Sequence, residues 1–259
     1  DSGFFEVGDE PRMFFAKFPK VTISVDANRR RGIQKIKELH TENKCIILDD
    51  AFQHRFVSPG LNILLTEYSR LYINDLLLPT GYLREPQMGA KRADYIIVTK
   101  CPPIFSPVDA RAIRTKLKIK DYQTVFFSYF KYGKLKPVYL EKKQMIPEVN
   151  QNLNVVLLTG IARAKNMFFT IKEKVNKIEH LDFPDHHVFT MTDINKVIKA
   201  YTDVKEENKI ILTTEKDAMR LHVPGIEEIL KELPIYYIPV EVDFHGKDKA
   251  HFDENILTY

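Results

Sequence analysis

Apolar residues fall along this chain in two alternating patterns. Short unbroken apolar runs bounded by polar residues mark buried strands, and apolar positions three and four apart mark helices. Residues 21–26 (VTISVD) read as a strand, and residues 28–40 carry Ile33, Ile36 and Leu39 at helical spacing. Residues 44–50 (KCIILDD) form an apolar run ending in acid, and residues 61–67 and 94–100 repeat that form. Residues 123–130 and 136–140 differ, with aromatic alternation around Gly133, and read as an antiparallel edge or a connecting ribbon. A second series follows: a strand at 153–158, a turn at Thr159–Gly160–Ile161 into a helix through about Val175, and a helix at 194–200 with Thr192 and Asp193 as caps. A strand at 209–212, a short helix at 216–221 and a last strand at 235–240 complete it. Strands buried on both faces and alternating with helices predict an α/β fold with a mostly parallel sheet. The polar stretch at 147–154 (PEVNQNLN) is the best boundary, giving expected domains at 1–148 and 149–259.

Composition narrows the class. The 259 residues are enough for one large domain or two small ones, and 44% hydrophobic with 29% charged residues is an ordinary globular balance. A net charge of +4 gives no electrostatic case for a nucleic-acid partner. Two cysteines, Cys45 and Cys101, are too few for a disulfide framework, so a reduced, cytosolic chain is expected. No uncharged apolar run approaches the roughly 18 residues of a membrane span. Glycine is scarce, 10 in all, and the chain opens at Asp1 rather than Met, which together lead us to expect a fragment.

Candidate chemistry gathers at the ends of the apolar runs. The run at 45–48 delivers Asp49 and Asp50 to the position where open α/β sheets bind ligands. Paired acids there suit Mg²⁺, a hard cation that takes oxygen ligands, or else form an acidic transition that caps the next turn. Gln53, His54 and Arg55 follow at the same rim. In Gly8-Asp9-Glu10-Pro11 an acid opens a helix, either as an N-cap or as a general base displayed beside the sheet. Residues 78–86 (LPTGYLREP) hold Arg84 in a rigid turn, suited to paired hydrogen bonds with phosphate or to a surface pair with Glu85. Phe183-Pro184-Asp185-His186-His187 offers histidines that can tune a carboxylate base or relay its proton. Zinc lacks a Cys or third His at ligand spacing there. Thr213-Thr214-Glu215-Lys216-Asp217 reads as a capped helix start, with a nucleotide contact as the alternative. Residues 13–20 (MFFAKFPK) read as a helix sending its phenylalanines into the core, and alternatively as an interfacial segment.

Taken in order, GDEP, DDAFQHR, LLLPTGYLREP, TGIA, FPDHH and TTEKD resemble the tetraacyldisaccharide 4′-kinase (lipid A 4′-kinase) family, over residues 8 to about 217. The resemblance implies a P-loop NTPase-like core with a smaller second α/β domain. It implies ATP-dependent phosphorylation of the 4′-hydroxyl of an acylated disaccharide 1-phosphate, at the cytosolic face of a bacterial inner membrane. It implies Asp9 as the base and His186 as its partner, Asp49 and Asp50 as the Mg²⁺ ligands with ATP, and Gln53, His54, Arg84 and Glu85 around the reacting centre. No obligate protein partner and no nucleic acid enter that picture, while a membrane surface does.

The chain departs from the family in several places, among them Arg163-Ala164-Lys165 after TGIA, where a proline is more typical. A Walker A loop, G-x-x-x-x-G-K-[ST], and a membrane helix precede GDEP in the family and are absent from this sequence, so the chain alone is expected to bind ATP poorly and turn over little. Ala51 stands where a glycine is usual, which requires a negative φ there. The competing readings are a P-loop-related kinase or NTPase acting on another sugar or lipid, and a non-catalytic binding module. A metal-dependent glycosyltransferase would leave GDEP and PDHH without a role.

Overall fold

The computed structural model describes residues 8–42, 45–139, 146–162 and 164–259. It divides into two compact units, one made of Asp1–Val25 with Tyr132–Val240 and the other of Asp26–Lys131 with Glu241–Tyr259. This partition differs from the expected 1–148 and 149–259. The chain changes unit at 131/132, ahead of the polar stretch, and returns to the earlier sheet after residue 240.

The unit of residues 26–131 and 241–259 is built on a four-stranded sheet in the order β1-β2-β3-β9. Its strands are β1 (Ile63–Glu67), β2 (Tyr95–Thr99), β3 (Thr124–Tyr132) and β9 (Val240–Phe244). β1 pairs parallel with β2, and β2 parallel with β3. The second pairing corrects the expected edge or ribbon: β3 lies inside the sheet, between β2 and β9. Val125, Phe126, Phe127 and Ser128 are all buried, because both faces of β3 are covered. On one face α3 (Pro107–Leu117) packs Ala110, Ile113 and Leu117 against Ile96, Val98, Val125 and Phe127. Ser106 and Asp109 form a capping box at its start, with Pro107 in the first turn. On the other face Phe126 meets Phe252 of α8 (Asp248–Leu257) edge-on at 5.3 Å between ring centroids. α2 (Arg29–Leu39) follows its Asn28 cap as expected.

Two expected strands do not form. Residues 22–26 and 45–48 carry no strand assignment, and Lys44 lies outside the described residues. A strand exists through its ladder hydrogen bonds, and an apolar sequence without a partner edge is only an extended segment. Val25 and Ile47 are correspondingly solvent-exposed.

The other unit holds a five-stranded sheet in the order β4-β8-β7-β5-β6. These strands are β4 (Lys136–Pro137), β5 (Asn154–Thr159), β6 (Lys177–Asp182), β7 (Lys209–Thr214) and β8 (Ile235–Ile238). All its pairings are parallel except β4 on β8, an antiparallel edge; Leu140, in the expected 136–140 segment, lies outside the described residues. Every residue of the central strand β5 is buried. Val155 and Leu157 face α4 (Ala164–Lys172) with Met167 and Ile171, while Val156 and Leu158 face Ile194 and Val197 of α5 (Met191–Asp203). The period-two alternation of a strand thus feeds two separate cores. Thr190, not Thr192, caps α5, with Asp193 completing the box. The expected last strand ends at Ile238, and Pro239 separates it from β9. The remaining helices are α6 (Glu215–Arg220), α7 (Glu227–Leu230) and α1 (Asp9–Lys17), the last packing on α6. Among the described residues no helix is long and apolar enough to cross a membrane.

Candidate active site

β5 is flanked by β6 on one side and β7 on the other, so the chain leaves β5 in one direction and returns on its opposite side. In parallel α/β sheets the crevice beyond the carboxyl ends at such a reversal is where ligands bind. Gly160 follows β5 there, the 183–187 turn follows β6, and α6 follows β7.

Asp217 on α6 is fully buried, and its carboxylate accepts from the Gly160 N–H (2.9 Å), the Thr214 hydroxyl (2.7 Å) and Arg220 Nη1 (2.8 Å). Thr214 caps the helix by accepting from the Asp217 N–H. The capped-start reading of TTEKD is therefore the one observed, and the Asp217 carboxylate is occupied within the protein. Arg220 is also buried; its Nη1 donates to the Gly160 carbonyl (2.8 Å) and its Nη2 lies 3.2 Å from Nδ1 of His186. A Cβ on Gly160 would stand 3.2 Å from Asp217 Oδ1, a tight contact that would press on the buried pair. His186 itself has φ +58°, unusual for a residue with a Cβ, and its N–H bonds the Gly160 carbonyl.

The neighbouring histidine has a different fate. His187 stacks on Phe183 at 4.7 Å and bonds Asp193 through Nε2 at 3.0 Å. Burial works to raise the Asp193 carboxyl, but hydrogen bonds from Thr190, His187 and Lys196 outweigh it and hold it well below its ordinary range. His187 belongs to the capping of α5, and His186 is the histidine that faces outward.

Asp9 is the first residue of α1; its side chain lies outside the described part of the structure. The cap is Gly8, at φ +83°, so the expected N-cap role of the acid does not hold. Glu10 accepts from Lys216 at 2.9 Å, and Lys17 bonds Glu215 at 3.4 Å. Lys216 and Arg220 are four residues apart and share a face of α6. One helix face therefore binds both the segment carrying Asp9 and the side chain of His186. Phe15 and Phe18 of the same region are 57% and 48% exposed, so they do not enter the core as expected.

The remaining candidates lie on the other unit. Asp49 and Asp50 occupy an exposed turn, and Arg84 Nη1 donates to Asp50 Oδ2 at 2.7 Å. That hydrogen bond raises the Arg84 pKa further above its ordinary value. Positive φ falls on Asp50, at +46°, and not on Ala51, which removes the need for glycine after the acids. Arg84 does not pair with Glu85. Glu85 instead accepts from Arg92 (2.7 Å) and Arg55 (3.0 Å). Burial alone would raise the Glu85 carboxyl, and the two guanidinium bonds hold it below its usual range. His54 packs edge-on against Phe56, and its buried Nε2 has no hydrogen-bond partner among the described residues. Gln53 is exposed beside it. Among the described residues no group of three or more His, Cys, Asp or Glu is placed to hold a metal. Asp50 Oδ1 is not engaged by the Arg84 bond, which uses Oδ2.

Arg220 is the residue that sequence reasoning missed. Its signal lies in register alone, three residues beyond Asp217 and four beyond Lys216 on a short helix.

Two mostly parallel sheets covered by helices, with acids, arginines and histidines in the turns that follow their strands, define an α/β fold. The family model of tetraacyldisaccharide-1-P 4′-kinase (LpxK) matches residues 1–259. A tetraacyldisaccharide 4′-kinase of Bacteroides thetaiotaomicron is 41% identical over 98% of this chain and 69% of the relative. One from Parabacteroides distasonis is 42% identical over 98% of this chain and 70% of the relative. LpxK from Aquifex aeolicus, crystallised in an "apo" form in complex with ATP, shares the fold with a TM-score of 0.65 at 23% identity, covering 100% of this chain and 71% of that one. The chain belongs to the tetraacyldisaccharide 4′-kinase family.

Proposed function

We propose that this chain transfers the γ-phosphoryl group of ATP to the 4′-hydroxyl of an acylated disaccharide 1-phosphate in lipid A biosynthesis, at the cytosolic face of the inner membrane. The observation that carries the reading is the common attachment of the Asp9 segment and His186 to one face of α6, through Lys216 and Arg220. Asp9 takes the proton of the 4′-hydroxyl as its oxygen bonds to the γ-phosphorus. The bond from that phosphorus to the bridging β–γ oxygen breaks, and ADP leaves. His186 holds the Asp9 carboxylate in place. Such a hydroxyl does not ionise freely at neutral pH, and general-base help contributes about 10²–10⁴-fold.

Positioning and charge neutralisation supply most of the rest. Asp49 and Asp50 would hold Mg²⁺, which when bound offsets phosphate charge. Arg84, already directed by Asp50, is a donor for a phosphate oxygen, and the resemblance adds Gln53, His54 and Glu85 to the same reacting centre. Phe15 and Phe18 lie three residues apart on the edge of α1 with Lys20 beyond them, an aromatic and basic combination suited to a lipid surface.

The test is transfer of γ-labelled phosphate from MgATP by the intact enzyme to a tetraacyl disaccharide 1-phosphate, beside unrelated sugar and lipid acceptors. The reading expects label at O4′ of the disaccharide. Label on the unrelated acceptors at equal rates, or none on any, contradicts it.

A further inference from the structure

The buried guanidinium of Arg220 has a consequence for His186 that neither residue shows alone. An arginine side chain carries only donors and does not lose its proton in a protein. Its Nη2 stands 3.2 Å from Nδ1 of His186. Two N–H groups cannot face each other at that distance, so Nδ1 is the acceptor and carries no proton. Neutral His186 therefore has its proton on Nε2.

Arg220 cannot easily turn away. Its Nη1 is fixed between the Asp217 carboxylate and the Gly160 carbonyl, each at 2.8 Å, and its side chain is 3% exposed. Asp217 is held in turn by the Gly160 N–H and the Thr214 hydroxyl. The pair is thus charge-balanced and hydrogen-bonded, as a buried ion pair must be. The His186 ring is also steered from its backbone, which bonds the Gly160 carbonyl that Arg220 bonds. Its side chain is 61% exposed, and Nε2 lies 3.7 Å from Asp185 Oδ2.

We propose that Arg220 is a positioning residue: it locks His186 in the Nε2–H tautomer, so that the histidine offers a hydrogen-bond donor to the base and does not itself collect a proton on Nδ1. Resting on the reading of His186 as the partner of Asp9, this assigns the transferred proton to the Asp9 carboxylate and reduces the histidine to holding that carboxylate. A tautomer fixed by a second residue is how hydrolytic histidines are set up, and here a cation does what a carboxylate does there, on the opposite nitrogen logic.

The experiment is a long-range ¹H–¹⁵N correlation spectrum of the intact enzyme labelled with ¹⁵N-histidine, with His186→Ala identifying the signal. The expected result is an unprotonated Nδ1 and a protonated Nε2 in the wild type. A protonated Nδ1 in the active enzyme overturns the proposal. Arg220→Met combined with Asp217→Asn, which removes the buried pair without stranding a charge, is expected to leave His186 averaging between tautomers. It should lower kcat roughly 10–100-fold, as loss of an orienting partner does, with the KM for ATP unchanged. Arg220→Lys, which retains a donor, should recover part of that loss; an unchanged spectrum and kcat in the double variant would contradict the role. Normal turnover in His186→Ala would remove the dyad, and the positioning role with it, whatever the tautomer. The two failures are therefore told apart.

Discussion

Two adjacent histidines end in opposite roles because of what stands near each. His187 reaches Asp193, six residues on, and stacks on Phe183, four residues back; His186 reaches Arg220. The folded Asp193 carboxyl sits below its ordinary value of 3.8, so its contribution to stability is present above that value and is lost as pH falls through the lower, folded one. Asp193→Asn is expected to cost about 1 kcal/mol at neutral pH through loss of the capping box. Urea unfolding should show that difference shrinking below pH ~4 as the wild type itself is protonated. A difference that stays constant down to strongly acidic pH would show that the carboxylate is not the group at work. The residues of PDHH nominate both histidines alike, and the family resemblance alone singles out His186. The ranking depends on the register of a helix start and on an arginine 34 residues away.

At the scale of elements, patterning was legible where a segment meets its partner locally and failed where it does not. The helices after Asn28 and Thr214 are legible in the chain, while the one after Ser106, despite its capping box and Pro107, is absent from the sequence reading. The run at 45–48 is as apolar as β2, yet forms no strand, because apolarity marks burial preference and a ladder needs a neighbour. The aromatic pattern of β3 suggests an edge or ribbon, yet its aromatic residues pack on two faces, Phe127 against Phe105 and Phe126 against Phe252, as in an interior strand. The placement of α1 on α6 was not legible at all, since its ion pairs join residues about 200 positions apart. Such pairs are individually weak, about 0.2–1 kcal/mol when exposed. Lys216→Ala is therefore expected to leave the denaturation midpoint nearly unchanged while amide exchange in residues 9–17 quickens. Unaltered exchange there would mean that α1 is held by other contacts.

At the scale of the whole molecule, the interleaving of the two units matters more than either boundary. Asp9 and His186 fall on opposite sides of the polar stretch at 147–154, yet both belong to the unit of residues 1–25 and 132–240. Residues 241–259 return to the other unit, where β9 extends the sheet and Phe252 covers Phe126. Deleting 241–259 should accordingly abolish cooperative unfolding of that unit, as seen by near-ultraviolet circular dichroism and denaturant titration; an unchanged transition would contradict the assignment. Motif order carried the family, because its motifs are written locally. That Asp9 and His186 share a unit is not visible in composition or motif order. The central claim is that these two residues act as one device, and a double-mutant cycle in the intact enzyme tests it most directly. Asp9→Asn and His186→Ala should each lower kcat by about 10²-fold or more with ATP affinity preserved, and the double variant should be no slower than the slower single one. Losses that multiply in the double variant, or near-normal turnover in both singles, would contradict it.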